Sequence, residues 1–273
     1  MSSALEFGRR HVAPGAESVA PHPLAPVVRL RPEREACVPH PVVVRCASCR
    51  LRCQCLTVEL DCDALDRVDG RLASVRRKVA QGETLFHAGD SFDSVFAIWT
   101  GFFKTVVTTR QGREQVAGFR MAGDLIGLKG IDAGRHAVDA IALQDSQVCV
   151  IPYARLQALA REEPGLQQRL LRLMSRKIVN DHSTMLHLGM CADERVAAFL
   201  LDFGARLEAR GFSGSSLVLP MGRADVGSYL GLTPETVTRA FSRFRAGGLL
   251  QVSLRQIRII DLEGLRHVVD GAV

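Results

Sequence analysis

The chain has 273 residues, room for about two domains, and its 47% hydrophobic content suffices for a buried core, which excludes global disorder. No apolar run approaches the roughly 18–20 residues of a membrane span, and the start lacks the apolar stretch of a secretory signal, so a soluble cytoplasmic protein is expected. The formal charge of +6 permits an anionic partner, while aromatics at 5% leave little for stacking on single strands.

Residues 1–45 hold seven of the eleven prolines and read as a disordered tail. Five of the eight cysteines then fall within Cys46–Cys62, and in a long cytosolic chain clustered thiols point to metal or redox chemistry rather than disulfides. Across Asp61–Val79, Leu65, Val68 and Leu72 stand at helical spacing. From Ala80 to Pro152 nine glycines punctuate short apolar runs, which predicts antiparallel strands in a sandwich or roll. Pro164 opens a long helix, Leu166 to Leu188 containing neither glycine nor proline. Asp193–Ala209 reads as another helix, two short helices follow, and Leu249–Ile260 alternates as a hairpin does.

The sharpest local pattern is Arg223 to Phe241. Val226 and Leu230 share one face of a first helix, Gly231 supplies the turn, and Thr233 with Pro234 marks the start of a second helix. Its Val237, Ala240, Phe241 and Phe244 face inward, so Glu235, Thr238 and Arg239 share the outer face. An acceptor, a hydroxyl and a guanidinium together at a helix start suit major-groove base edges, with Arg243 one turn on and nearer the DNA backbone. Six arginines against two acids in Met221–Ile260 add a local charge of +4. A plain solvated face, with a Glu235–Arg239 pair, is the bland alternative.

With these residues in view, the chain resembles the cAMP-receptor/FNR superfamily and, within it, the oxygen-sensing FNR/ANR regulators. Gly82-Glu-Thr-Leu-Phe, Ala97-Ile-Trp-Thr-Gly and Ala122-Gly-Asp-Leu-Ile-Gly are similar to its β-roll signatures, Leu173-Met-Ser to its dimer helix, and Gly227 through Arg239 to its reading pair. The resemblance implies an α+β fold. Its parts are a double-stranded β-helix (jelly-roll) sensor domain like the cyclic-nucleotide-binding one over 61–160, a dimerisation helix over 161–190, and a winged helix-turn-helix over 191–273. Cyclic-nucleotide binders of the family carry Gly-Glu-Leu and an Arg-Ser pair. Gly127-Leu-Lys and Arg135-His136-Ala137 stand there instead, so no cyclic nucleotide is expected. Thr238 replaces the usual serine of the reading helix, and a TTGAT-N4-ATCAA-like palindrome is the implied target.

The Cys46-x2-Cys49 pair alone suits zinc or an iron–sulfur group. The resemblance extends it: Cys46, Cys49 and Cys55, in segment 46–60, match the family's N-terminal motif, and Cys149 matches its distant fourth ligand by local context. A [4Fe-4S] cluster is thereby implied. Cys53 is then an extra thiol, a spare or a competitor for the third ligand place, and Cys37, Cys62 and Cys191 are ordinary. No catalytic constellation, phosphate loop or paired-histidine site stands out, so no enzyme is expected.

In the long helix Leu171, Met174, Ile178, Asp181, Met185 and Leu188 are spaced as a heptad seam, so a homodimer is expected, with Ile178 and Asp181 as its switch. The resulting expectation is an oxygen-responsive regulator of anaerobic-metabolism genes that binds double-stranded DNA and touches RNA polymerase through loop 124–134. A nitric-oxide or redox sensor with the same cluster, an iron–sulfur electron carrier and a zinc-stabilised constitutive DNA binder are the alternatives.

Overall fold

The computed structural model describes residues 44–109, 111–186 and 189–271, with backbone alone over 180–186. The proline-rich segment before residue 44, Cys37 included, lies outside the described residues.

A string of turns runs from Val44 to Leu60 and leads into helix α1 (Cys62–Val68), whose Asp61 caps it by accepting from the Ala64 N–H at 2.7 Å. The helical spacing noted over Asp61–Val79 ends there. Gly70 turns the chain with φ 70°, and the next element is strand β1 (Val75–Val79). Then come β2 (Thr84–Phe86), β3 (Ser94–Thr100), β4 (Phe102–Thr108), β5 (Glu114–Met121), β6 (Leu125–Ile126), β7 (Asp139–Ala142) and β8 (Ser146–Pro152). They form two antiparallel four-stranded sheets, β1-β8-β3-β6 and β2-β7-β4-β5. Between the sheets lie Phe86, Phe96, Ile98, Phe103, Ala140 and Val148, the alternate residues that a two-faced strand turns inward.

The other face of the first sheet carries the second core. There Ala97, Cys149 and Ile151 pack with Leu56, Leu65 and Leu72 from the N-terminal segment, with Leu156 and Leu159 of α2 (Tyr153–Glu162), and with Leu166 of α3 (Pro164–Leu186). Helix α1 is pinned to this layer because Arg67 makes a two-pronged pair with Glu163, a buried residue.

The C-terminal part comprises α4 (Ala192–Glu208), β9 (Ser216–Val218), α5 (Arg223–Leu230), α6 (Pro234–Ala246), the hairpin β10 (Leu250–Ser253) and β11 (Gln256–Ile259), and α7 (Leu262–Val269). Strands β10-β11-β9 make a three-stranded wing. Its core continues into the β-roll, since Val106, Val116, Phe119 and Met121 pack with Phe199, Phe203 and Val226. Polar contacts close the same junction: Lys104 Nζ to Asp225 at 2.7 Å, the Val116 N–H to Ser228 Oγ at 2.9 Å, and Asp124 to Arg206 at 3.0 Å and Arg210 at 2.5 Å. No helix among the described residues is long and apolar enough to cross a membrane.

Candidate metal centre and nucleic-acid interface

Cys46, Cys49 and Cys55 come from the N-terminal turns and Cys149 from β8, and all four line one cavity closed by apolar Val44, Leu72, Ala97 and Ile151. Local hydrogen bonds wind the segment so that its thiols face that cavity: Cys49 N–H to the Cys46 carbonyl at 3.2 Å, Arg52 N–H to that of Cys49 at 3.0 Å, and Cys55 N–H to that of Leu51 at 3.0 Å. Asp69, just past α1, accepts from the backbone N–H groups of Cys46 and Ala47 and so fixes the first cysteine. Cys149 is held differently, in a strand paired on both sides, with Arg76 and Ala97 directly across from it.

Burial, reinforced by the neighbouring Cys55 and Cys149 thiols, pushes the Cys46 thiol up to about 12. Burial likewise takes Cys55 to about 11. It also raises Cys149, against the pull of the nearby Arg76 guanidinium. All four are free thiols, and Cys149 is the buried one. Positive charge entering among Cys46, Cys55 and Cys149 would favour their ionisation. Among the described residues no three His, Cys, Asp or Glu side chains are disposed to hold a metal ion. Cys53, Cys62 and Cys191 are exposed and line no part of it.

Arg45, Arg50 and Arg52 interleave the cysteines in the sequence, but spacing did not reveal the other cations near this cavity, Arg76, Arg169 and Arg172. Arg169 of α3, only 5% exposed, donates to the Gln54 carbonyl at 3.5 Å and pairs with Glu59 at 3.6 Å, while Arg172 also pairs with Glu59. Arg50 and Arg76 stack on Trp99, 4.9 and 4.1 Å from the ring centre.

In the helix-turn-helix, Gly231 caps α5 in the left-handed conformation, φ 67°, where a side chain would be strained. Thr233 then accepts from the Thr236 N–H at 3.2 Å and Pro234 takes the first helical position. Val237, Ala240, Phe241 and Phe244 are buried as their spacing requires, and Arg223 stacks on Phe241 at 3.8 Å to join the two helices. Glu235, Thr238 and Arg239 are exposed together on the outer face. Arg239 donates to Thr236 Oγ1 at 3.1 Å and Thr238 to the Pro234 carbonyl at 2.8 Å. Arg243 is exposed but engaged, its Nε reaching Asp193 at 2.7 Å and its Nη2 the other carboxylate oxygen.

Comparison with known proteins agrees with both halves. Residues 194–268 match the Crp-like helix-turn-helix domain and residues 76–163 the cyclic nucleotide-binding domain. The transcriptional activator protein FnrA of Stutzerimonas stutzeri is 40% identical over 247 residues, 90% of this chain and 98% of the relative. The chain belongs to the CRP/FNR superfamily. The transcriptional activator protein anr of Pseudomonas aeruginosa is 42% identical over 79% of this chain and 88% of its own length. Among solved CRP/FNR-like structures, FixK2 from Bradyrhizobium japonicum superposes with a TM-score of 0.65 at 29% identity, over 71% of this chain and 96% of that one. A DNA-binding transcription regulator of the CRP/FNR superfamily is therefore established.

Proposed function

We propose that this chain is an oxygen-responsive, cytoplasmic regulator whose cavity of Cys46, Cys49, Cys55 and Cys149 holds a [4Fe-4S] cluster. The observation that carries the reading is the convergence of three cysteines from one segment and a fourth from a central strand on one buried, apolar-walled cavity. Four thiolates around one cavity can hold a four-iron cluster, the group that the FNR/ANR-like cysteine motif implies. Bound there, such a cluster supplies redox chemistry that oxygen disrupts. The chain's own part is to bury the thiols, exclude water and pass the state of the segment to α3 through Arg169 and Arg172.

Helix α3 presents Leu171 and Ile178, each 59% exposed, as an uncovered apolar stripe that supports a homodimer. Asp181, whose side chain lies outside the described residues, follows at the same heptad spacing in the sequence. At about 6 Å and an effective dielectric near 20, two such carboxylates repel by roughly 2–3 kcal/mol, enough to hold a marginal pair apart. In the dimer two α6 helices would enter successive major grooves about 34 Å apart on a TTGAT-N4-ATCAA-like palindrome, Glu235, Thr238 and Arg239 reading bases. The surface of loop 124–134 is the proposed RNA polymerase contact, without Asp124, which is occupied by Arg206 and Arg210. The roll works without a cyclic nucleotide in this reading. Arg135 is exposed and donates to the Gly89 carbonyl at 2.8 Å, and His136 is buried against Phe86 at 3.7 Å between ring centres.

Anaerobic reconstitution with ferrous iron and sulfide tests the proposal. About four irons per chain are expected, with colour that air bleaches and DNA binding that goes with it. Serine at any of Cys46, Cys49, Cys55 or Cys149 should abolish iron retention, and Cys53→Ser should not. A colourless protein that binds zinc, and DNA equally in air, overturns it.

A further inference from the structure

Four buried side-chain polar atoms among the described residues have no hydrogen-bond partner: Gln54 Oε1, Arg76 Nε, His136 Nδ1 and Arg169 Nε. His136 belongs to the aromatic interior of the roll. Gln54 Oε1 lies against Gly123, and the two arginines stand beside the cysteines from different elements, Arg76 opposite Cys149 and Arg169 on the Gln54 carbonyl next to Cys55. Buried donors without acceptors are rare, and a functional site is where they are kept.

Arg76 on β1 lies directly across the ladder from Cys149 on β8. Opposed residues of antiparallel strands share a face, so the guanidinium and the thiol stand on the same side of the sheet. Trp99 holds the guanidinium there by stacking, with Arg50 on the same ring. Arg169 reaches in from α3, its Nη groups engaged by the Gln54 carbonyl and Glu59 and its Nε–H left over. Thus each end of the cavity, the strand cysteine and the last cysteine of the segment, has one cation with an unused N–H beside it.

We propose that Arg76 and Arg169 are positioning residues of the cysteine centre, supplying the charge and the unused N–H groups that compensate the Cys149 and Cys55 thiolates. The proposal rests on the iron–sulfur reading of the cavity. Positive charge and N–H donors near cluster sulfurs favour the more reduced state, so their removal lowers the midpoint potential. Because Arg169 belongs to α3, the same contact makes the helix with the exposed stripe a direct neighbour of the Cys55 thiolate.

The full chain, Arg76→Gln, Arg169→Gln and the two corresponding Lys variants are to be reconstituted anaerobically and compared by iron count, midpoint potential and rate of iron loss to a chelator under nitrogen. Both Gln variants should load iron, show a lower potential than the parent and lose iron about 10-fold faster. The Lys variants, which keep the charge, should recover most of the potential. The iron-free forms should melt alike, since Glu59 keeps Arg172 and Trp99 keeps Arg50. Gln variants with the parent's potential and iron-loss rate overturn the proposal, as do variants whose only change is a lower melting point that Lys does not restore. A parent that takes up no iron overturns the cluster reading first, and the iron count shows this before any variant is compared.

Discussion

Gly227 is the point where α5 touches the turn that launches the reading helix, and Gly227→Ala tests how tightly the two are locked. A Cβ built there would lie 2.6 Å from the Leu232 carbonyl oxygen, 3.3 Å from the Thr233 carbonyl carbon and 3.4 Å from the Pro234 nitrogen. All three are backbone atoms, so no side-chain rotation relieves the contact. The Gly227 carbonyl also accepts from the Leu232 N–H at 2.8 Å, which ties the turn to this residue. Overpacking of this kind costs about 1–3 kcal/mol, and better helix propensity returns up to about 1 kcal/mol. A net loss of about 1–2 kcal/mol follows, a fall of roughly 2–8 °C in melting temperature. DNA affinity should suffer more. The clash is relieved only by moving the turn, and Glu235, Thr238 and Arg239 move with it, each base contact being worth about 1–3 kcal/mol. Fluorescence anisotropy on a palindromic duplex, at a temperature where parent and variant are both folded, should show a loss of about tenfold or more. Gly189→Ala is the control, because a Cβ there meets nothing within 4 Å. A Gly227→Ala protein with parental melting and affinity within about twofold would refute the reasoning.

Arg239→Ala should cost about 1–3 kcal/mol of DNA binding and relax preference at one base pair per half-site; an equal loss on scrambled sites counts against its reading role. Burial of His136, opposed by Asp90 and Asp93, holds its imidazole below the usual histidine range. The unfolded chain therefore takes up the proton more readily, and this contribution to stability is complete above about pH 6.5 and lost as the pH falls below it. Melting temperatures from pH 7.5 to 5.5 should decline less in His136→Leu than in the parent, and parallel declines would contradict the assignment. Asp124→Ala leaves Arg210, with 14% of its side chain exposed, and Arg206 without their shared carboxylate. A loss of about 1–3 kcal/mol in urea unfolding is expected, and an unchanged midpoint would show that the junction does not depend on it.

The elements set by short-range chemistry were legible in the sequence. Thr233-Pro234 fixed the start of α6, and the 3.6-residue spacing of Val237, Ala240, Phe241 and Phe244 fixed its buried face. What stayed hidden depends on partners far away in the chain. The segment Val75–Val79 looked like a continuation of the helical spacing before it, and it is a strand because β8 pairs with it some seventy residues later, Val75 opposite Val150 and Val79 opposite Ser146. Helix α7, announced locally only by Asp261 accepting from the Gly264 N–H, went unread. The pairing of Arg243 with Asp193 was hidden in the same way, because the two stand 50 residues apart. At the cavity, the cysteine motif shows in the sequence, but Arg76 beside Cys149 is a matter of strand register and Arg169 beside Cys55 a matter of helix docking.

Cys149 and its three companions are held by unlike means, and this sets how the site can come apart. Strand β8 is bonded along both edges, to β1 and β3, so Cys149 moves only if the sheet itself opens. The stretch around Cys46, Cys49 and Cys55 has only turn hydrogen bonds of its own, tethered at Asp69, Arg169 and Arg172. Segments with few long-range backbone bonds open at a fraction of the global unfolding free energy. Opening the segment would cost its turn bonds, its tethers and the packing of Val44, Leu56 and Leu60 in the second core, while the strand that carries Cys149 stays paired on both edges.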